Sequence, residues 1–279
     1  MNNLFQFTRF MYLFRKTVFE KPVQIFGIVI LNLVVVLLMY AFLRNIIGWP
    51  GTQNLTFIWG FVFGGCYLSA AVFSNFNSNA SGSSFLTLPA SHLEKWLCGI
   101  LITWLLYVVV FLLYYKGIDA IFVNYYHRHL NPLEVDYQSK LEAIQMFDYG
   151  GHVARMAYLI FGNLTAAMFV GSLYFNKISF VKTGLVICAA FVFFYGANLA
   201  MAHIMFPDVT DAYPFSHVSI GLPSTKQFSE LSMAIRPKSE EGSVGLPSPY
   251  INIYQVTVRY VLMLTLCIAA FIRLKEKEF

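Results

Sequence analysis

Long apolar runs without a single charged residue are the feature that most constrains this chain. Between Arg44 and Glu94 the sequence contains no Asp, Glu, Lys or Arg, and further apolar runs recur towards the C-terminus. Hydrophobic residues make up 58% of the chain and charged residues only 12%, whereas charged residues form about 25% of an ordinary soluble domain. One helical crossing of the bilayer core takes about 20 apolar residues. The runs therefore exclude a water-soluble globule and predict several membrane crossings.

The sequence predicts an all-α polytopic membrane protein, with a single transmembrane domain over residues 1–279. The apolar runs are unbroken, which favours helices over the alternating strands of a membrane barrel. An N-terminal interfacial helix over residues 1–21 precedes six transmembrane helices, which are expected at residues 23–43, 55–73, 96–115, 154–175, 178–206 and 251–272. Residues 74–95 form a short inner loop, and residues 116–153 and 207–250 form two longer outer loops. The first outer loop carries a predicted amphipathic helix at residues 134–147, and the proline-rich second predicts irregular chain or short helical pieces.

Basic residues predict which side of the membrane the termini face. An even number of spans places both termini on one side, and the termini and short connections of that side carry more Lys and Arg than acids. The two long loops on the other side carry no such excess. By the positive-inside rule both termini are expected in the cytoplasm.

The predicted spans lack the groups that most membrane chemistry requires. The interiors of the first five spans carry no Asp, Glu, Lys or Arg, so ion coupling within this chain is not expected. No GxxxxGK[ST], HExxH or GxSxG motif occurs, and therefore no ATP site, cofactor or catalytic residue is predicted. No metal site is predicted either, since the pair His127 and His129 lacks a further ligand and His203 faces away from Met201 and Met205 on a helix. Four polar residues inside the spans either bond neighbouring helices or line a substrate path: Asn32, Asn163, Thr165 and Asn198.

The N-terminal helix is predicted to lie along the membrane surface. At 100° per residue its apolar side chains share one side, with Leu13 as the exception. That apolar side is formed by Leu4, Phe7, Phe10, Met11, Phe14 and Val18. Arg9, Arg15 and Lys16 are expected to contact anionic headgroups, and the helix is also placed where it can contact a cytoplasmic partner.

The inner loop at residues 74–95 has the most unusual sequence, SNFNSNASGSSFLTLPASHLEK. Ser91 and Glu94 have the spacing of a capping box, which predicts that a helix starts after Ser91 and leads into the third span. The preceding FLTL tetrad, residues 85–88, is expected at the cytoplasmic surface, where exposed apolar side chains indicate a partner. The loop is therefore predicted to be a protein docking site.

Residues 85–96, FLTLPASHLEKW, resemble the LPxSxxEK-type segment between spans two and three of ABC type-2 permeases, particularly Bacteroidetes-like members. The resemblance implies that this loop is a coupling helix that contacts a separate ATPase subunit, which would bind ATP and Mg. The implied contact residues are Phe85, Leu86, Leu88, His92, Leu93 and Glu94. It also implies a pathway formed by two six-helix subunits, re-entrant helical pieces in the last outer loop, and the bacterial inner membrane as the location.

Two hypotheses about function follow. In the first, the chain is the permease subunit of an ATP-driven exporter, whose substrate is a lipid, an amphipathic peptide or a hydrophobic drug. In the second, it is a non-transporting scaffold or sensor that binds an envelope partner through its outer loops. No nucleic-acid partner is expected, because the net charge of +5 belongs to the membrane-orienting segments.

Overall fold

The structure is a computed structural model that describes residues 5–20, 22–77, 79–131, 137–175, 177–205, 209–212, 217–221, 241–245, 253 and 256–277. Two compact units are present. The first consists of residues 1–183 and 262–279, and the second of residues 184–261.

Helices account for most of the described residues. They are α1 (Phe7–Glu20), α2 (Pro22–Leu43), α3 (Trp49–Val72), α4 (Asn79–Leu86), α5 (His92–Ile100), α6 (Tyr107–His129), α7 (Tyr137–Ala143), α8 (His152–Tyr174), α9 (Ser179–Met205) and α10 (Leu262–Glu276). A 3₁₀ turn at Ser74–Asn77 precedes α4, and π-helical turns at Leu101–Leu106 and Thr257–Val261 precede α6 and α10. The first π-helical turn joins α5 to α6, so His92–His129 is one continuous helix of 38 residues.

Five helices are long and apolar enough to cross a membrane: Ile25–Leu43, Trp49–Val72, His92–His129, His152–Tyr174 and Ser179–Met205. They coincide with the first five predicted spans. The sixth, at residues 251–272, is helical from Thr257 onward, and residues 251, 252, 254 and 255 lie outside the described part of the chain. The chain is thus a helical protein with several segments suited to spanning a bilayer.

Helix α3 lies at the centre of the first unit, where it packs against α2, α6 and α8, and α8 in turn packs against α10. Aromatic rings fill the space between these helices: Phe57, Phe61, Phe111, Tyr115 and Phe161. Glycines allow the close approach of these helices. A Cβ atom at Gly64 would lie 2.3 Å from the Tyr107 hydroxyl and 2.4 Å from the Asn32 amide.

The continuous α5–α6 helix is longer than the bilayer core is thick. At 1.5 Å per residue its 38 residues span about 57 Å, against roughly 30 Å of hydrocarbon. Its first turns pack beside α1, and its last turns lie beside the α2–α3 connection, where Trp49 and Tyr126 are in ring contact. We refer to these two levels of the bundle as the α1 end and the opposite end.

Three elements differ from the sequence-based prediction. Helix α6 continues through Lys116 to His129, where an outer loop was expected, because apolar residues such as Ile118 and Val123 extend its buried face. Helix α7 covers only Tyr137–Ala143 of the helix predicted at residues 134–147, of which residues 134–136 lie outside the described residues. Strands β1 (Val209–Ala212), β2 (His217–Gly221) and β3 (Glu241–Gly245) form an antiparallel sheet in that order, within the loop expected to be irregular or helical.

The buried side of α1 is also rotated relative to the prediction. Phe10, Leu13 and Val18 are buried, whereas Phe7 and Met11, which were assigned to the apolar side, are exposed. Leu13, the apparent exception in the sequence pattern, belongs to the packed face because α1 rests on α5 and α2 rather than on lipid alone.

Candidate functional site

The segment at residues 74–95, which we call the platform, folds against the α1 end of the bundle. After the 3₁₀ turn and α4 the chain passes Pro89 and begins α5 at the Ser91 cap. Phe85 is 9% exposed and belongs to an apolar cluster with Phe73, Phe76, Phe169, Leu173, Ala270 and Leu274. Leu86 and Leu88 pack against the same cluster. The platform is therefore anchored by apolar contacts to α3, α8 and α10.

Lys95 joins the two halves of the platform. Its side chain is buried at 2% exposure, and Nζ donates a hydrogen bond of 2.8 Å to the carbonyl oxygen of Leu86, the last residue of α4. The ammonium lies 5.5 Å from the Phe85 ring centroid. A cation at the C-terminus of a helix satisfies carbonyls that have no partner within the helix, so Lys95 ties α4 to α5.

Glu94 connects the platform to α1. Its carboxylate is fully buried and forms a salt bridge with Arg9. Oε2 accepts from Arg9 Nε at 2.8 Å and Oε1 accepts from Arg9 Nη2 at 2.7 Å. The backbone N–H of Gln6 donates to Oε1 at 2.8 Å. Glu94 thus holds the first turn of α1 against the first turn of α5.

The capping box predicted from the sequence is confirmed. Ser91 Oγ accepts from the Glu94 N–H at 3.2 Å, and the Ser91 N–H donates to Glu94 Oε2 at 2.8 Å. One carboxylate therefore serves two helix starts as well as the salt bridge. This set of bonds fixes the position of α1 relative to α5, since a buried carboxylate is stable only when all of its donors are in place.

Arg9 is committed to this pair. The hydrogen bond to Glu94 raises the pKa of the Arg9 guanidinium, although burial acts in the opposite direction. With 24% of its side chain exposed, Arg9 bonds Glu94, and its contact with an anionic headgroup stays a prediction. Arg15 and Lys16 are exposed, and they remain the residues of α1 suited to headgroup contact.

The predicted contact residues of the platform differ in how far they are exposed. The side chain of Phe85 points into the protein, Leu86, Leu88 and Leu93 are half-buried, and Glu94 is enclosed. His92 is exposed as a contact residue requires. The sequence reasoning passed over Ser83, Ser84, Thr87 and Pro89, which are all exposed. The available signal was that these residues lie, in the sequence, between the apolar residues that are buried.

The polar residues predicted inside the spans mostly bond neighbouring helices or their own backbone. Asn32 Nδ2 donates to the Tyr114 hydroxyl at 2.6 Å and to the Gly60 carbonyl at 3.2 Å. Thr165 Oγ1 accepts from Trp104 Nε1 at 2.6 Å. Asn163 Nδ2 donates to the carbonyl of Leu159 in its own helix at 3.0 Å. Asn198 is half-buried on α9.

A buried carboxylate at the opposite end was missed by the sequence reasoning. Asp119, at 2% exposure, accepts from the Tyr40 hydroxyl at 2.7 Å and from Gln53 Nε2 at 2.8 Å, both through Oδ1. Its Oδ2 accepts from the backbone N–H of Phe147 at 2.8 Å. The available signal was its position one helical turn after Tyr115, which makes both residues part of one helix face.

Asp119 holds the segment at residues 144–149, which we call the strap. The Phe147 ring is buried 4.4 Å from the Phe57 ring, centroid to centroid. Gln53 Nε2 also donates to the Gln145 carbonyl at 2.9 Å, and His127 Nε2 lies 2.9 Å from the Ile144 carbonyl. The strap is therefore fastened across the ends of α3 and α6 by side chains from both helices.

Among the residues that the structure describes, no group of three His, Cys, Asp or Glu side chains is arranged to hold a metal ion. His127 and His129 use ring nitrogens to bond the carbonyls of Ile144 and Tyr125. The four cysteines form no disulfide.

No protein-family model, curated protein or solved structure matches the chain. The fold defines a class, a helical protein with five helices long and apolar enough to cross a membrane. The platform and the strap are its two distinctive features.

Proposed function

We propose that this chain is the membrane-spanning permease subunit of an ATP-driven ABC transporter, with ATP and Mg bound by a separate subunit. The observation that supports the proposal is the platform. The segment that resembles the coupling segment of type-2 permeases is compact. Its apolar side chains pack against the bundle, and its exposed side chains form a small polar face. A flexible connection between two spans would need none of these contacts.

The contacts of the platform suit it to passing a movement into the bundle. A displacement of α4 reaches α5 through the bond from Lys95 to Leu86, and α5 continues without interruption into α6. The Glu94–Arg9 pair makes α1 move with the same unit. A partner that binds one arrangement of these elements more tightly than another would shift the equilibrium between two states of the bundle.

The rest of the proposal rests on the resemblance to type-2 permeases and, for the orientation of the termini, on the positive-inside rule. Both termini and the platform face the cytoplasm of a bacterial inner membrane, two copies or two homologous subunits form the pathway, and the direction is export. The interior of the bundle, which is rich in aromatic rings, suits a lipid, an amphipathic peptide or a hydrophobic drug.

The first experiment is purification of the tagged chain from its native membrane in mild detergent, with mass spectrometry of the proteins that accompany it. An ATPase subunit in about equal abundance, with ATP hydrolysis in the purified complex, is the expected result. The reproducible absence of an ATPase from intact, folded chain would contradict the proposal.

A matched pair of variants locates the contact. His92 is exposed on the platform and His152 is exposed at the opposite end, so His92→Asp and His152→Asp make the same chemical change at the two ends. We expect His92→Asp to reduce recovery of the ATPase subunit and His152→Asp to leave it unchanged. Equal recovery with both variants would remove the platform from the interface.

The alternative is a scaffold or sensor that binds an envelope partner. The observation that favours it is the three-stranded sheet within residues 209–245, which gives the second long loop a folded element of its own. Recovery of an envelope protein in place of an ATPase would support this alternative.

A further inference from the structure

A pocket of about 280 Å³ lies at the opposite end of the bundle. It is lined by Arg44, Asn45, Trp49, Tyr125, Tyr126 and His129. Three segments build it: the α2–α3 connection, the first turn of α3 and the last turns of α6. It shares no lining residue with the cavity beside the strap.

The lining of this pocket is basic and rich in hydrogen-bond donors. Arginine, asparagine, tryptophan and tyrosine side chains all present N–H or O–H groups, and the lining contains no acid. Within the part of the chain that the structure describes, Arg44 forms no salt bridge. The indole N–H of Trp49 is buried with no acceptor among the described residues. An anion with several oxygens is the ligand that such a wall selects.

The walls of the pocket are fixed by ring contacts. The Arg44 guanidinium lies 5.4 Å from the Phe122 ring centroid, and Phe122 stacks on Tyr40 at 4.7 Å. The Trp49 and Tyr126 rings are 5.2 Å apart. These contacts hold the arginine and the aromatic wall in place before a ligand arrives, which lowers the entropic cost of binding.

Several features place the pocket at the depth of lipid headgroups. Arg44 directly follows α2, the first helix suited to crossing the membrane. Ile46 and Ile47 in the adjoining connection are exposed at 64% and 51%. Tryptophan and tyrosine concentrate at the membrane–water interface, where their rings sit at headgroup level. A ligand in this pocket therefore has its polar part at the phosphate layer and its apolar part beside the isoleucines.

We propose that this pocket binds the phosphate group of a membrane phospholipid, with Arg44 as the principal ligand and Asn45 and Tyr126 as further donors. His129 Nδ1 lies 2.7 Å from the Tyr125 carbonyl, so Nδ1 carries the proton of that bond.

The test is native mass spectrometry of the full chain in detergent, titrated with phosphatidylglycerol. Arg44→Gln removes the charge from the pocket, and Arg128→Gln makes the same change at an exposed residue outside the lining. Loss of one bound lipid, or a fall in affinity of about tenfold or more, is expected for Arg44→Gln only. Equal lipid binding by wild type, Arg44→Gln and Arg128→Gln would overturn the proposal.

Two further measurements separate the alternatives. Arg44→Lys keeps the charge but not the planar guanidinium, so partial recovery of binding is expected, and its failure to recover any binding in folded protein would argue against a phosphate ligand. Millimolar inorganic phosphate is expected to leave the lipid in place. Displacement by inorganic phosphate alone would assign the pocket to a soluble phosphate and overturn the lipid source.

Discussion

The sharpest test of the fold concerns the bond between Asp119 and the strap. Asp119→Asn keeps the size of the side chain and still offers one oxygen. That oxygen is best placed where Oδ1 accepts from Tyr40 and Gln53, because two donors converge there. The new amide nitrogen then faces the N–H of Phe147, and a donor opposed to a donor forms no hydrogen bond.

The expected cost follows from that single lost contact. A hydrogen bond to a charged group contributes about 1.5–3 kcal/mol, and the Phe147 N–H bonds the carboxylate of Asp119, a residue that is only 2% exposed. At about 1.4 kcal/mol per factor of ten, opening of the strap becomes roughly 10- to 150-fold more frequent. The rest of the bundle keeps its contacts.

Hydrogen–deuterium exchange of the full chain in lipid nanodiscs measures this opening. Peptides covering residues 144–149 should exchange faster in Asp119→Asn by that factor, and peptides from α3 and α8 should not. Asp148→Asn is the matched control, because Asp148 is exposed and, among the described residues, its carboxylate accepts from the nearby N–H of Gly150. Two outcomes would refute the reasoning: unchanged exchange in the strap, or equally faster exchange throughout the bundle.

Two other substitutions have clear expected outcomes. Gly64→Ala should destabilise the fold by about 1–3 kcal/mol through overpacking, because its Cβ would clash with the Tyr107 hydroxyl, and so lower the melting temperature in detergent. Gly27→Ala, whose Cβ would meet nothing within 4 Å, is the control and should be neutral or slightly stabilising. Lys95→Met should loosen α4 by about 1.5–3 kcal/mol through loss of the bond from the Lys95 ammonium to Leu86, seen as roughly 10- to 150-fold faster exchange over residues 79–90, and unchanged exchange there would contradict the tie between α4 and α5.

The helical spans could be predicted because the bilayer imposes a strong local rule. Every backbone polar group in hydrocarbon must be bonded within its own segment, so length and polarity are enough to locate a helix. Five predicted spans coincide with helices for this reason. The capping box was equally accessible, since Ser91 and Glu94 are three residues apart and their bonds are local.

Other features depend on residues far apart in the sequence. The partner of Glu94 is Arg9, which lies 85 positions away, and nothing in either segment specifies the other. The FLTL tetrad was predicted to be an exposed docking patch, because the residues that cover it belong to other helices, α3, α8 and α10. Tertiary packing decides whether an apolar side chain is buried, and the sequence around that side chain does not show the packing.

The long apolar runs by themselves determined that the chain is helical and where the segments suited to crossing a membrane lie, and the capping-box spacing of Ser91 and Glu94 determined where α5 begins. The tertiary structure alone decided that Leu13 faces inward, that Glu94 and Asp119 are buried, and that residues 144–149 return across the ends of α3 and α6. The physical reason is the range of the interactions. Backbone bonding and transfer into lipid act segment by segment, whereas a buried carboxylate is stable only when donors from several distant segments meet around it.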